Sequence, residues 1–223
     1  ITLDKHLILI EKLDFLDWVD VQDEVREQIE NFLNGGGLIF KPSNPITIYA
    51  ENTPNPSVIK FVANKKLVNT SHEFKSIESA QNCSIAKALF NHDFISELYI
   101  DFNFISITIK KENSWDNHIM EIREFILSYI RDGNEIIDSK FDIENDKNES
   151  IDFENMDEIS KEIAKLIDDQ IKPAVASDGG NILFQSYDSN SKEVKVILQG
   201  ACSGCPSSTF TLKNGIESML KDY

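Results

Sequence analysis

The residues best equipped for chemistry are Cys202-Ser203-Gly204-Cys205. Two thiols separated by two residues can close on one metal centre, or on each other as a disulfide. Pro206 follows at once, and its fixed φ suits the first turn of a helix, with Ser207, Ser208 and Thr209 as capping candidates. A helix starting there brings its partial positive charge and unpaired N–H groups beside the sulfurs, which favours thiolates. Gly204 lets the loop turn tightly enough to aim both sulfurs at one point. The third cysteine, Cys83, stands alone near the start of a short helical stretch and reads as a small buried apolar residue.

Two sulfurs are half the ligand set of a structural zinc or an iron–sulfur cluster. The sequence holds no second Cys-x-x-Cys, and His6, His72, His92 and His118 all precede residue 139. The remaining thiolates would come from a second chain. A symmetric dimer joining two such loops supplies four sulfurs, the complement of a [4Fe–4S] cluster. A site split between subunits is easily dismantled, as a cluster donor requires. The alternative is a thiol–disulfide oxidoreductase using the same pair, since its dithiol also sits at a helix N-terminus. In a thioredoxin-like unit, however, the motif comes early, and here two hairpin strands precede it.

The elements that must position the pair follow from hydrophobic spacing. Residues 156–171 predict a helix with Ile159, Ile163, Leu166, Ile167 and Ile171 on one face, ending near Pro173. Asp178-Gly179-Gly180 is a turn into a strand over 181–187, and Asp188 to Ser191 turn the chain into a second strand over 193–199. Upstream, strands are predicted over 46–50, 58–63 and 94–100, with a two-proline turn over 52–56 and a short helix over 84–91. Residues 104–110 alternate as a half-buried strand does. Ile119, Ile122, Ile126 and Ile130 line one face of a further helix that stops at Gly133. Between 138 and 154 the composition turns to Asp, Glu, Asn, Lys and Ser, as in a linker.

The opening of the chain repeats this middle region. A shift of 97 positions pairs Asp4 with Asp101, Ile8 with Ile105, Trp18 with Trp115, Arg26 with Arg123, Ile29 with Ile126 and Gly36 with Gly133. Ten identities over 36 gap-free positions indicate duplication. Both copies run strand, Trp-bearing turn, then helix, with Gly35 to Gly37 as the helix stop of the first. Trp18 and Trp115 are expected to pack in the core or against the turn.

Composition bounds the possibilities. In 223 residues, 41% hydrophobic and 27% charged, no apolar run reaches the roughly 20 residues of a membrane-spanning helix. Acidic residues outnumber basic ones 38 to 22, a net charge of -16, which repels phosphate backbones and argues against nucleic-acid binding. Three cysteines suit a reducing compartment better than a disulfide scaffold. With no signal peptide in view, a bacterial cytoplasm is the expected location. An organellar one stays open because the start at Ile1 looks like a cut end.

Residues 155–223 resemble the NifU C-terminal, or Nfu, domain of iron–sulfur cluster biogenesis. The residues carrying this are Pro173, Asp178-Gly179-Gly180, the run from Gly200 through Cys202, Cys205 and Pro206 to Ser208, then Thr211-Leu212-Lys213 and Gly215-Ile216-Glu217. Residues 46–138 are similar to the Nfu N-terminal domain through Glu51-Asn52-Thr53-Pro54-Asn55-Pro56, Lys60-Phe61 and Leu89-Phe90. The resemblance implies an α+β protein: a partial N-terminal-like repeat over 1–41, an N-terminal-like domain over 46–138, an acidic linker over 139–154 and the cluster domain over 155–223. It implies a non-catalytic scaffold or carrier that holds a labile [4Fe–4S] cluster, or a [2Fe–2S] form, between Cys202 and Cys205 of two subunits. Upstream cluster-assembly proteins would load it, and apo iron–sulfur proteins would receive the cargo. Asp178, Gly179 and Gly180 are expected to play a structural role only. The family's C-terminal domain usually adds a strand after its last helix, and this sequence ends at Tyr223.

Overall fold

Alternating apolar residues over 48–109 fold into five antiparallel strands, because each strand must hide one face and pair both edges of its backbone. In the computed structural model these are β3 (Ile48–Asn52), β4 (Val58–Ala63), β5 (His72–Phe74), β6 (Ile95–Asp101) and β7 (Phe104–Ile109), in the spatial order β3-β4-β7-β6-β5. The structure describes residues 2–4, 7–9, 17–35, 45–143, 156–203 and 206–221, in two units, Ile1–Pro45 and Ile46–Tyr223. Gly36, Gly37, His6, Gly204, Cys205 and residues 144–155 of the expected linker lie outside the described residues. So do the side chains of the expected caps Ser207, Ser208 and Thr209.

One face of the five-stranded sheet packs on α2 (Ser84–Phe90) and α3 (Ile119–Arg131). Ile122, Ile126 and Ile130 of α3 meet Ile59, Phe61, Ile105 and Ile107 in this core, each burial worth about 1.5–3 kcal/mol. Trp115 joins them at 6% exposure, its Nε1 donating to the carbonyl of Ser57 at 3.0 Å. Cys83 is wholly buried here too. Its thiol donates to the Ile136 carbonyl at 3.3 Å, and burial pushes its pKa up to about 11.

Three features depart from expectation. All six residues of β4 are buried, and β7 is buried on both faces rather than one, because the second face of the sheet is also covered. The predicted linker starts with structure: residues 139–143 are helical and Asp142 is 3% exposed. Its carboxylate accepts hydrogen bonds from the backbone N–H groups of Asn69 and Thr70 at 2.8 and 3.1 Å, from the Thr70 hydroxyl at 3.0 Å and from His72 Nε2 at 2.9 Å. Burial alone would raise its pKa, but these donors outweigh it and hold the carboxyl at about 2. The helix predicted to end near Pro173 runs on. After α4 (Glu158–Leu166) comes a π turn (Ile167–Ile171), then α5 (Lys172–Ser177). Lys172 N–H reaches back to the Ile167 carbonyl, so the widened turn absorbs Pro173, which has no N–H to place.

From α5 the chain enters β8 (Gly180–Asp188), turns where the Asp188 carboxylate accepts from the N–H groups of Asn190 and Ser191, and returns as β9 (Glu193–Gly200). Helix α6 (Pro206–Lys221) follows. Ala164, Ile167, Ile171, Val175, Ile182, Phe184, Cys202 and Ile216 form the core of this part.

The first unit consists of β1 (Thr2–Asp4), β2 (Leu7–Leu9) and α1 (Trp18–Asn34). Its hairpin register repeats that of β6 and β7 at the same offset of 97. Thr2, Leu3 and Asp4 face Leu9, Ile8 and Leu7, as Tyr99, Ile100 and Asp101 face Ser106, Ile105 and Phe104. Trp18 is 36% exposed and α1 buries none of its residues, unlike Trp115 and α3. The sequence expectation for Trp18 is therefore corrected: the same spacing is present, but among the described residues Trp18 is not buried in a core as Trp115 is. Among the described residues no helix is long and apolar enough to cross a membrane.

Candidate metal centre

In sequence the two cysteines lie between the end of β9 at Gly200 and the start of α6 at Pro206, and Cys202 is the one the structure describes. Gly200 adopts φ 63°, and the Ser203 N–H and hydroxyl both bond back to its carbonyl, at 3.1 and 3.0 Å. This turn points Cys202 inward. The side chain is 1% exposed and packs with Ile167, Val175, Ile182 and Ile216. A Cβ built on Gly180 would lie 2.8 Å from Cys202 Sγ, so only glycine leaves room for the sulfur. Gly180 pairs with Gly200 across the hairpin, which brings the Asp178-Gly179-Gly180 turn against the cysteine loop. The sequence expectation gave these glycines a turn role only; hairpin pairing is the signal that could have joined the two motifs.

The turn and the loop rest on the outer face of the five-stranded sheet. A transverse row lies beneath them, one residue per strand: Glu51, Lys60, Ser106, Tyr99 and Glu73, each directly opposite the next in register. Lys60 Nζ donates to the Ser177 carbonyl at 3.2 Å and is paired with Glu51 at 3.4 Å. It also lies 4.7 Å from the centre of the Phe104 ring. The Ser106 hydroxyl donates to the Gly179 carbonyl at 2.6 Å. Glu73 accepts from the Gly200 N–H at 3.0 Å, and Asn55 Nδ2 donates to the Ala201 carbonyl at 3.2 Å.

Close approach explains the remaining glycines. Gly179 has φ 83°, and a Cβ there would sit 2.8 Å from Ser106 Oγ and 3.3 Å from the Thr53 methyl. A Cβ on Gly200 would sit 2.8 Å from the Tyr99 ring. Both positions need glycine for conformation and for space.

Of the predicted ligands, Cys202 is thus seen at the strand-to-helix corner with its thiol turned into the protein. Cys205 lies outside the described residues. Cys83 sits in the other core, protonated at neutral pH and so a poor ligand. Among the described residues no three His, Cys, Asp or Glu side chains gather into a metal-binding group.

Comparison with known proteins adds to this geometry. Residues 163–223 match the family model described as NifU-like domain, and residues 48–133 match that of scaffold protein Nfu/NifU N terminal. NifU-like protein 4, mitochondrial, of Arabidopsis thaliana is 34% identical over 195 residues, which span 86% of this chain and 66% of that protein. The NFU1 iron-sulfur cluster scaffold homolog, mitochondrial, of Drosophila willistoni is 33% identical, over 83% of this chain and 63% of its own. The Homo sapiens protein of the same name is 29% identical, over 82% and 70%. The chain therefore spans just under two thirds of the length of the first two. These matches overturn the expectation of a bacterial cytoplasm, since all three relatives are eukaryotic proteins named as mitochondrial. Folded domains do not carry the compartment in their composition; address segments separate from the fold do.

Proposed function

The chain belongs to the Nfu/NifU family, and from that membership we propose that it is an iron–sulfur cluster scaffold and carrier in an organelle. In this reading the cluster is cargo, and the chain catalyses no bond change of its own. Cys202 and Cys205 of two subunits together hold one labile [4Fe–4S] cluster, which passes to apo-proteins by exchange of their thiolates for these. The segment over 155–223 carries the cluster. The one over 46–138 serves partner recognition or stability, and residues 1–41 are a partial copy of it. What most supports the reading is that both cysteines fall inside the stretch matching the NifU-like domain, with Cys202 just after the end of β9. The names of the relatives, as iron-sulfur cluster scaffold homologs, agree with it.

The test is anaerobic reconstitution of the full chain with ferrous iron and sulfide, followed by visible absorption and iron analysis. The wild type should take up four irons and four sulfides per two chains. Cys202→Ala and Cys205→Ala should each abolish stable uptake, and Cys83→Ala should retain it. Full iron retention in Cys202→Ala would overturn the assignment, and a colourless wild type with a reducible disulfide would favour the oxidoreductase.

A further inference from the structure

We propose that the transverse row on the five-stranded sheet, together with Asn55, is a clasp on the backbone of Ser177, Gly179, Gly200 and Ala201 that keeps Cys202 turned inward, and that cluster loading requires its release. This rests on the reading of Cys202 as a cluster ligand. The argument starts from what the row touches. Lys60 and Ser106 hold the carbonyls of Ser177 and Gly179, on either side of Asp178, while Glu73 holds the Gly200 N–H and Asn55 the Ala201 carbonyl. The Ala201 N–H in turn bonds to the Gly179 carbonyl at 3.2 Å. Every one of these bonds fixes backbone immediately before Cys202 or against it. None involves the sulfur.

A shared cluster demands the reverse arrangement. Four sulfurs from two chains must converge on one centre, so each Cys202 must leave its pocket and face the partner. In the clasped form its Sγ is packed beside Gly180 and 1% exposed, and the sheet occupies the side from which Gly200 and Ala201 are held. The Ala201 and Gly200 backbone cannot swing outward without parting from Asn55 and Glu73.

The clasp is also built to open. Its bonds are polar, one each from Lys60, Ser106, Glu73 and Asn55, and the apolar contribution comes from Tyr99 under Gly200, with Val62 and Phe104 beside it, and from the Thr53 methyl near Gly179. The two hydrophobic cores remain separate, one under the helices α2 and α3, the other around Val175 and Ile182. Release therefore exposes the row without dismantling either core. The two glycines that permit the approach, Gly179 and Gly200, belong to the cluster segment, and the side chains that read them belong to the sheet.

The experiment is residue-resolved alkylation of the full-length apo-chain with N-ethylmaleimide, read by mass spectrometry, alongside the rate of iron and sulfide uptake. Two full-length variants open the clasp from the sheet side: Ser106→Arg, which places bulk beneath Gly179, and the milder pair Ser106→Ala with Glu73→Gln. In the wild type, Cys202 should label as slowly as Cys83. In either variant Cys202 should label at least about tenfold faster while Cys83 stays protected, and cluster uptake should quicken. Cys83 reports whether the sheet core is intact. If Ser106→Arg exposes it, the milder pair decides by the same readout. Cys202 labelling equally fast in wild type and variants, or staying protected in a variant with Cys83 buried, would overturn the clasp. Faster labelling of Cys202 without any cluster uptake would instead leave the clasp standing and overturn the ligand assignment.

Discussion

Replacing Asp142 by asparagine should cost this chain about 3 kcal/mol at neutral pH, and the cost should shrink in acid. The carboxylate gathers two backbone N–H groups, the Thr70 hydroxyl, Asn69 Nδ2 and His72 Nε2 at 2.8 to 3.1 Å. Its pKa of about 2, against an ordinary 3.8, corresponds to about 2 kcal/mol favouring the charged, folded form. Asparagine keeps the shape but loses the charge and turns an amide N–H₂ toward donors, adding about 1 kcal/mol for the mispaired group. The sign follows from the depressed pKa. The stabilisation is complete well above pH 3.8, declines as the carboxyl begins to protonate in the unfolded chain, and is gone once pH has fallen through about 2. The difference between wild type and Asp142→Asn should therefore narrow by about 1 kcal/mol at pH 3 and about 2 kcal/mol at pH 2. Urea unfolding followed by Trp115 fluorescence, in a Trp18→Phe background, measures it. A gap that stays constant from pH 7 to pH 2 would refute the claim that charge on Asp142 anchors this segment.

The cluster should assemble the dimer, because each chain carries -16 and two chains repel until metal–thiolate bonds join them. Anaerobic size-exclusion chromatography with light scattering should show monomeric apo-protein, dimeric holo-protein and reversal by an iron chelator; a monomer holding a full cluster refutes bridging. Ile126→Ala, at a site 1% exposed between α3 and the sheet, should cost 2–5 kcal/mol and lower Tm without changing iron content. Loss of iron together with Tm would show that the sheet domain contributes to the cluster site.

Strong local periodicity made most of the frame legible. The strand over 58–63 matches β4 residue for residue, and the isoleucine stripe from Ile119 to Ile130 is the buried face of α3. What the sequence hid is non-local. Strand β5 has only three residues, His72 to Phe74, too few to display alternation. Asp142 sits in a polar run whose composition says linker, and only its donors at positions 69–72, some 70 residues away, make it an anchor. The row from Glu51 to Glu73 draws one residue from each of five strands, so no window of sequence contains it. The cysteine motif stood out at once by spacing, but nothing in that spacing tells which way Cys202 faces. Its orientation depends on Gly180, 22 positions earlier.

A helix that spends an extra residue on a wide turn is set by length as well as by sequence. Each residue of an α-helix advances about 100° around the axis. Were all five residues of Ile167–Ile171 wound as regular α-helix, the six residues of Lys172–Ser177 would be rotated by about that angle relative to Glu158–Leu166. Val175 would leave the core it fills, and the Ser177 carbonyl would turn away from Lys60. Substitutions of similar size within the turn preserve both. Loss of one residue from this stretch would close the wide turn to regular winding and keep both contacts, so single-residue gaps in true relatives belong inside it.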